Sequence, residues 1–453
     1  MLILQKPEGY CFEKNIPDIV LQKQNDETIV NVTLKLGETV ILEENYKFDA
    51  DGIITIRRID EIVSAYLVAQ KSVVGGNVIT TGLNKSFTVE FQSVSTIALE
   101  ILGIDNIDQL IIEQQGLPGL LSQSLSIGDK LFKIGNTSPN LLITAIDDQT
   151  NTLTFNGNVN TYATAGDFGY FEIYKSNTST FSVIRCEADM PDGLNAGTFA
   201  AQNFLTRLAR EKRTATNRNE YLTYIHFGSY ANVVVKYKVY YISEGIYSNK
   251  TGDFLTIASG SGDRHITFNA SLSALRIAAA LPIEEILQYD LWFTESVQNV
   301  ESNAYTFLID SNYYRNKTHF VFENTFGMLE TFSATGITEN KISNEYNLAN
   351  IQSRYRKTSQ DFVSQKTCNS GFLQVHEMEW INDILLSYNI GLYVPGESGM
   401  SEEITITDHE KTDTDANKLQ AFQFSYRRSK NNHLQFAAAA LGIFDNTYDQ
   451  TYN

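Results

Sequence analysis

The sequence predicts a mainly β protein, with several antiparallel β-sandwich domains, an inserted small β-barrel and one short helical segment. Three observations support this fold class. Apolar and polar residues alternate with period two along most of the chain. β-Branched and aromatic residues, among them 24 Tyr and 26 Phe, fill the alternating stretches. Turn-forming Gly, Asn and Asp residues separate these stretches, and 453 residues are too many for a single core.

The first predicted domain is an N-terminal β-sandwich over residues 1–95. Residues 28–42 alternate apolar with polar side chains and break at Gly37, as a half-buried hairpin does. The alternation resumes over 46–56, where Asp51 and Gly52 supply a turn that tolerates positive φ. These short strands and turns are typical of an antiparallel sandwich.

The second predicted domain, residues 96–178, combines a helical segment with the inserted barrel. Apolar residues recur at three- and four-residue steps and predict an amphipathic helix that ends before Gly116. They are Ile97, Ile101, Ile104, Ile107, Leu110 and Ile111. Four short alternating segments follow and predict a small closed barrel. They span 126–132, 141–148, 151–157 and 166–174.

Two further domains are predicted: a central β-sandwich region over 179–335 and a C-terminal β domain with an extended tail over 336–453. At least five strands are expected in the central region, at 221–227, 231–242, 289–294, 304–310 and 318–324. Residues 198–213 favour a helix by composition alone, which is a weak indication. In the last domain we expect a short helix at 380–387, strands at 403–408 and 419–427, and a tail that docks onto a partner or neighbouring subunit.

Composition limits the possible functions. The chain has 35 Lys and Arg against 53 Asp and Glu, which gives a net charge of −18. A general nucleic-acid binder needs clustered basic residues along a phosphate footprint, so direct nucleic-acid binding is not expected. The acidic balance favours solubility.

The cysteines and apolar runs suggest a protein made in the cytoplasm. Cys11, Cys186 and Cys368 lie far apart, which fits neither a disulfide framework nor a metal site, and we expect three buried thiols in a reducing compartment. The first residues lack the apolar region of a signal peptide. No window approaches the ~18 apolar residues of a membrane span, so no membrane association is expected.

The sequence predicts no catalytic, cofactor-binding or metal-ligating residue and no cofactor. The six histidines are widely separated, so a zinc site is not expected. Residues 376–380 begin like a zincin helix but have Trp380 where a second His is required, and we interpret them as an ordinary strand or loop. Neither a nucleophile elbow nor a phosphate-binding glycine loop is present.

Three alternatives stay open at this point. The acidic clusters at 147–148, 408–410 and 413–415 could hold calcium, although surface turns explain them better. A glycosidase needs two facing carboxylates, and 53 acids make some such pair inevitable by chance. Four tyrosines near one strand could stack on sugars, but cross-strand packing is favoured. They are Tyr237, Tyr240, Tyr241 and Tyr247.

Four segments are distinctive as a set. Residues 204–222 read Phe-Leu-Thr, a basic spacer and then Glu220-Tyr-Leu, and residues 320–336 join an aromatic strand, an Asn and a Thr-Gly ending. Residues 380–393 carry a Leu-Leu-Ser run before the strand at 404–408, and residues 442–453 read GIFDNTYDQTYN. Together these segments resemble tail or baseplate-type virion proteins of tailed phages that infect Bacteroidetes bacteria. The chain departs from that pattern at Gly327-Met328, where a glycine pair is expected.

The resemblance covers mainly residues 179–453 and implies a non-enzymatic structural component of a virion, in the tail, baseplate or connector region. Such a subunit is expected to form a symmetric homo-oligomer, to contact other virion proteins, and to be synthesised in the host cytoplasm before it enters the virion. The alternative is a receptor- or glycan-binding tail-fibre component that presents tyrosines, Trp292 or Trp380 to a host-surface glycan. A polysaccharide depolymerase is a third possibility. The resemblance supplies no catalytic residues.

Overall fold

The computed structural model describes most of the chain. The described residues are 1–24, 27, 29–68, 78–106, 108–114, 125, 127–133, 141–157, 159, 168–191, 193–208, 210–228, 232–258, 260–281, 285–295, 300–315, 317–351, 354–394, 402–411 and 420–429. The fold is mainly β, as predicted, and divides into two compact units. The N-terminal unit comprises Met1–Leu67 and Asn84–Gly197, and the C-terminal unit comprises Val68–Leu83 and Thr198–Asn453. The four domain boundaries proposed from the sequence remain predictions.

The first half of the chain contains thirteen strands and two helices within the described residues. The strands are β1 (Leu2–Gln5), β2 (Gly9–Phe12), β3 (Ile19–Gln22), β4 (Ile29–Leu36), β5 (Thr39–Lys47), β6 (Ile53–Ile56), β7 (Val78–Thr81), β8 (Lys85–Asn106), β9 (Gln109–Gln114), β10 (Lys130–Lys133), β11 (Leu141–Asp147), β12 (Thr152–Phe155) and β13 (Phe168–Ile184). The helices are α1 (Ile59–Ser64) and α2 (Ala196–Gln202), and Glu13–Asn15 form one 3₁₀ turn.

The N-terminal unit begins with a sandwich. The small sheet β1–β3–β6 packs on the long sheet that contains β4, β8 and β13. Its core joins Leu21 and Ile54 of the small sheet to Val32, Phe87 and Phe181 of the long one. β4 and β5 form the predicted hairpin, and Gly37 at its turn has a φ of 59°.

The predicted barrel is present. β8, β9, β12, β11, β10 and β13 pair in this order, and β13 pairs again with β8, so the six antiparallel strands form a closed circuit. Buried apolar residues of these strands form its interior. They include Ile101, Leu110, Ile143, Leu153 and Phe155.

The predicted helix over residues 97–111 is wrong, because the segment forms the last ten residues of β8 and the start of β9. Ile101 is fully buried while its neighbour Leu102 is 50% exposed, which is the period of a strand. The isoleucine-rich segment matches both periods because apolar residues lie on both faces. Residues 97–100 pair with β13, which is remote in sequence, and the rest of β8 from residue 99 to 106 pairs with β9 in a hairpin, so strand pairing on both sides decides the outcome.

The second half of the chain contains fifteen strands and three helices within the described residues. The strands are β14 (Glu211–Ala215), β15 (Tyr221–His226), β16 (Val233–Ser243), β17 (Ile246–Ile257), β18 (Arg264–Asn269), β19 (Glu285–Glu295), β20 (Val300–Glu301), β21 (Tyr305–Asp310), β22 (Thr318–Glu323), β23 (Leu329–Ala334), β24 (Thr338–Ile351), β25 (Arg354–Leu373), β26 (Ile390–Tyr393), β27 (Glu402–Lys411) and β28 (Gln420–Arg428). The helices are α3 (Leu272–Ala279), α4 (Val375–Trp380) and α5 (Asn382–Leu386).

The C-terminal unit contains a second sandwich and a helix-covered sheet. In the sandwich, the sheet β14–β21–β19–β16–β17 packs on β15–β18–β7, and Tyr224 stacks on Phe293 with ring centroids 4.3 Å apart. The other sheet has the order β23–β22–β26–β27–β28–β25–β24. Met378, Trp380 and Ile384 of α4 and α5 pack into its core. The strands and the short helix predicted in this half are therefore confirmed, and residues 198–213 divide into α2, a loop and β14.

The cysteines are buried free thiols, as predicted. Within the described residues, no helix is long and apolar enough to span a membrane. The extended tail predicted at the end of the chain lies outside the described residues.

His265 on β18 should make the C-terminal unit sensitive to acid. Burial lowers the pKa of His265 to about 4, against a smaller opposing effect of Asp263. The unfolded chain, with a pKa near 6.5, binds more protons between pH 6.5 and 4, so stability falls as the pH falls through this range. Between pH 7 and pH 4, we expect the free energy of unfolding measured in urea to fall by about 3 kcal/mol more for wild type than for His265→Gln. His409→Gln, at an exposed position, is the control. If the free energy of unfolding changed equally with pH in wild type and in His265→Gln, the prediction would be contradicted.

Candidate functional site

The C-terminal unit contains a cavity of about 330 Å³ that is lined by both charged and aromatic residues. Four cations line it, namely Lys212, Arg213, Arg218 and Lys317. Two carboxylates, those of Asp310 and Glu377, also line it. Its apolar walls are formed by Tyr314, Phe332, Phe372, Leu373 and Trp380. Small-molecule and peptide side-chain sites are commonly of this kind, apolar with a few polar groups.

A buried ion cluster lies behind one wall of the cavity and is centred on Glu220. This side chain is fully buried directly before β15. Lys212 Nζ lies 2.9 Å from its Oε2, and Arg218 Nε donates to its Oε1 at 2.6 Å. The hydroxyls of Thr214 and Thr331 also donate to the carboxylate, at 2.6 and 2.8 Å. All these bonds are made to a charged acceptor, which gives each more than the usual strength.

The cluster keeps Glu220 ionised in spite of its burial. Burial raises the pKa of this carboxyl, but Arg218, Lys212 and the hydrogen bonds outweigh that effect, so the pKa lies below its ordinary value. Removing one partner from such a buried cluster leaves an uncompensated charge. The cluster therefore fixes β14, β15 and β23 relative to one another around the cavity.

A second ion pair closes the cavity on the side of α4. Arg213 donates to both carboxylate oxygens of Glu377, and its Nη2 also donates to the carbonyl oxygen of Phe372 at 2.8 Å. Glu377 accepts the backbone N–H of Gln374 at 2.8 Å and so caps α4. The interpretation of residues 376–380 as a strand or loop is thus wrong. The capping box of Gln374 and Glu377 starts this helix, and it does not depend on a second histidine.

Ser333 and His319 form a polar pair at the cavity. His319 Nδ1 lies 2.7 Å from Ser333 Oγ, and Arg218 Nη1 donates to the same oxygen at 2.7 Å. Burial, Arg218 and Lys317 lower the pKa of His319 to about 4. A general base works best with a pKa near the working pH. The pair is therefore better suited to holding Arg218 in place than to activating the serine.

Two interacting carboxylates, Glu330 and Asp383, lie in the same region, and both are buried. Trp380 Nε1 donates to Glu330 at 2.5 Å, and Asn324 Nδ2 donates to its other oxygen at 2.7 Å. Arg207 Nη1 donates to Asp383 at 3.0 Å. Burial and the charge of Glu330 nevertheless raise the pKa of Asp383 to about 7. Because both side chains are at most 4% exposed, neither faces a bound polysaccharide.

The structure places the other candidate residues in ordinary settings. Asp147 accepts the backbone N–H groups of Gln149 and Thr150, which is the turn role favoured from the sequence. Over the ranges that the structure describes, no group of three acidic, Cys or His residues is arranged to hold a metal. Trp380 is 3% exposed and is not available to a glycan. Residues 413–415 lie outside the described ranges.

The four tyrosines separate into packing and surface residues. Tyr237 is buried in the core of the second sandwich, as the packing interpretation predicts. Tyr240 and Tyr247 stack across β16 and β17 with ring centroids 6.3 Å apart, and Tyr247 is 61% exposed. Tyr237 therefore has a packing role, whereas one face of the Tyr247 ring is exposed to solvent.

Three of the four segments that carry the phage-protein resemblance meet at this site. Residues 204–222 supply the Glu220 cluster, residues 320–336 supply Thr331 and Ser333, and residues 380–393 supply Trp380 and Asp383. The turn at Gly327-Met328 needs only one glycine. Gly327 has a φ of 74°, whereas Met328 is buried and its N–H donates to Asn324 Oδ1.

Comparisons with known proteins add little. No protein-family model matches the chain, and no curated protein matches it. Among solved structures, the extracellular region of plexin A4, domains 1 to 8, is similar at 9% sequence identity. The match covers 76% of this chain and 40% of the plexin chain, with a TM-score of 0.14. The chain thus spans less than half of the plexin's length, and a TM-score this low does not establish a shared fold.

Proposed function

We propose that this chain is a non-enzymatic structural component of a tailed-phage virion, in the tail, baseplate or connector region, and that it assembles into a symmetric oligomer. The observation that carries the proposal is a two-stranded ribbon at the end of β24 and β25, defined here as residues 342–351 and 354–364. The resemblance of four segments to tail and baseplate-type proteins supports the same assignment.

The ribbon extends past the sheet to which it belongs. β24 and β25 pair from Thr338↔Cys368 to Ile351↔Arg354, whereas β25 pairs with β28 only from Lys366 to Leu373. In the part of the chain that the structure describes, the ribbon therefore pairs with no third strand. At about 3.3 Å per residue, residues 342–351 span roughly 33 Å.

A ribbon of this kind favours a role in assembly. An isolated two-stranded hairpin is only marginally stable in water, and it exposes unpaired backbone N–H and C=O groups along both edges. A neighbouring subunit can pair with these edges or cover them. Repeated between identical copies, such a contact generates a closed, symmetric oligomer when the rotation from one copy to the next closes a ring.

Native mass spectrometry of the full chain, together with antibody labelling of purified virions, tests the proposal. We expect one defined oligomer with several copies and labelling of the particle at the tail or its junction with the capsid. A chain that stays monomeric at every concentration measured, or particles without label, would overturn it.

Glycan binding is the second candidate because of Tyr247. Its exposed ring, supported from beneath by Tyr240, offers a face on which a sugar can stack. A glycan array with wild type and Tyr247→Ala separates the two functions. Specific binding that is lost in Tyr247→Ala would favour the glycan-binding role, and a purely structural subunit should bind nothing specifically.

A further inference from the structure

The cavity of the C-terminal unit carries an excess of positive charge in an acidic protein. Four cationic and two carboxylate side chains line it, although the whole chain has a net charge of −18. Glu377 is neutralised by Arg213, and Glu220 is shared between Lys212 and Arg218. With Asp310 also counted, four cations meet three carboxylates, and the one positive charge that is left favours an incoming anion.

Lys317 is the cation best placed to meet such a group. Its ammonium forms no ion pair within 4.0 Å with any described carboxylate, and it lies 5.5 Å above the ring of Tyr314. Burial lowers the pKa of Lys317, Asp310 opposes this effect, and Arg218 adds a smaller lowering. Lys317 and Arg218 also lower the pKa of the neighbouring His319. At His319 these two cations outweigh Glu220, which indicates a positive potential on that side of the cavity.

The remaining wall suits an aromatic side chain. Phe372 lines the cavity and is 63% exposed, so its ring is open to a bound aromatic side chain, whereas Phe332, Leu373 and Trp380 line the same cavity and are at most 7% exposed. A volume of about 330 Å³ is at the small end of ligand sites and holds one aromatic side chain with its neighbouring polar group. An aromatic residue next to a carboxylate is therefore the chemistry that fits.

This chain contains that chemistry in its last residues. Residues 431–453 have two Asp and no Lys or Arg, and they contain the pairs Phe444-Asp445 and Tyr448-Asp449. From Ser429, the end of the described strand region, fifteen residues lead to Phe444, and an extended chain of that length reaches about 50 Å. The acidic surfaces of a −18 chain repel this segment, which leaves a cationic cavity as a favoured partner.

We propose that the cavity binds the segment 442–453 of a neighbouring copy of this chain, with a carboxylate facing Lys317 and an aromatic ring against the apolar wall. This inference rests on the proposed function, because it names one of the contacts that join the copies.

A charge exchange between two chains tests the inference. One variant, Lys317→Glu, reverses the charge of the cavity cation. The other, Asp445→Lys with Asp449→Lys, reverses the charges of the segment. In sedimentation velocity, each protein alone should self-associate at least about tenfold more weakly than wild type. Mixed together, the two proteins should recover association, because each defective part then meets a complementary one. Lys236→Glu, on β16 away from the cavity, is the matched control and should associate like wild type.

The outcomes separate this inference from the proposed function. Two weakened variants without recovery on mixing would overturn the pairing of cavity and segment but leave the oligomer. If association recovered only when all three substitutions were in one chain, the segment would bind the cavity of its own copy, and the inference would be overturned. Association of either variant as strong as that of wild type would also overturn the inference.

A peptide measurement gives a readout that does not need the oligomer. A fluorescent peptide of residues 442–453 should bind the full chain carrying Asp445→Asn and Asp449→Asn, whose own segment is neutral. Adding Lys317→Glu should weaken this binding at least about tenfold, and a peptide with both Asp replaced by Asn should bind as weakly. Equal binding in all these cases would contradict the inference.

Discussion

Glu220→Gln is expected to lower the free energy of unfolding of the C-terminal unit by about 3–5 kcal/mol. The substitution keeps the size of the side chain but removes the only charge that Lys212 and Arg218 share. Both cations are at most 4% exposed, so water cannot replace the carboxylate. The result is a buried pair of like charges, which is among the most destabilising changes that one substitution can cause.

Urea unfolding followed by tryptophan fluorescence isolates the unit concerned. The two tryptophans of the chain, Trp292 and Trp380, both lie in the C-terminal unit, and Lys212 Nζ lies 5.2 Å from the ring centroid of Trp380. Glu403→Gln, an exposed acid on β27, is the control and should change stability by less than about 0.5 kcal/mol.

A triple variant shows whether the loss comes from charge. Lys212→Met, Arg218→Leu and Glu220→Leu together remove every charge of the cluster, and buried ion clusters replaced by apolar residues often retain or gain stability. The triple variant should therefore be more stable than Glu220→Gln alone. An unfolding curve of Glu220→Gln equal to that of wild type would show that the cluster does not stabilise the C-terminal unit.

The sequence is a good guide to the strands because their side chains obey a local rule. The alternation over residues 231–242 predicts β16 directly, because one face of this strand is buried, and β-branched and aromatic residues indicate β15 at 221–227, which is buried on both faces. The helix expected over 97–111 fails where apolar residues occupy both faces. There the pairing of residues 97–100 with β13 and of residues 99–106 with β9 decides the structure, and neither pairing is visible in the local pattern.

The ion cluster could not be predicted in the same way. Lys212, Arg218 and Glu220 look like solvated charges in a polar stretch, since isolated charged residues are rarely fully buried. Their burial depends on Thr331, more than 100 residues later in the chain, and on the parallel pairing of β14 with β21. One signal was present: Glu220 stands directly before the fully buried strand β15 and within a basic stretch.

Removing the ribbon is expected to abolish assembly while leaving the fold of the chain unchanged. Ile342 and Ser364 are directly paired across β24 and β25, so residues 343–363 can be replaced by Asn-Gly. Asn-Gly favours the tight turn that joins two antiparallel strands in this register. The shortened hairpin keeps every pair from Thr338 to Ile342 and the pairing of β25 with β28, so the sheet beneath it should form as before.

The expected result is a monomer by native mass spectrometry at concentrations where wild type is fully assembled, with an unchanged urea unfolding curve. The matched control replaces only Gln352 and Ser353, between the paired residues Ile351 and Arg354, by the same Asn-Gly turn and keeps the ribbon at full length. This control should assemble like wild type, because the new turn then caps an intact pair of strands. Loss of assembly in both variants would trace the effect to the turn itself. Normal assembly of the shortened chain would show that the unpaired edges of the ribbon, however exposed, are not what joins the subunits.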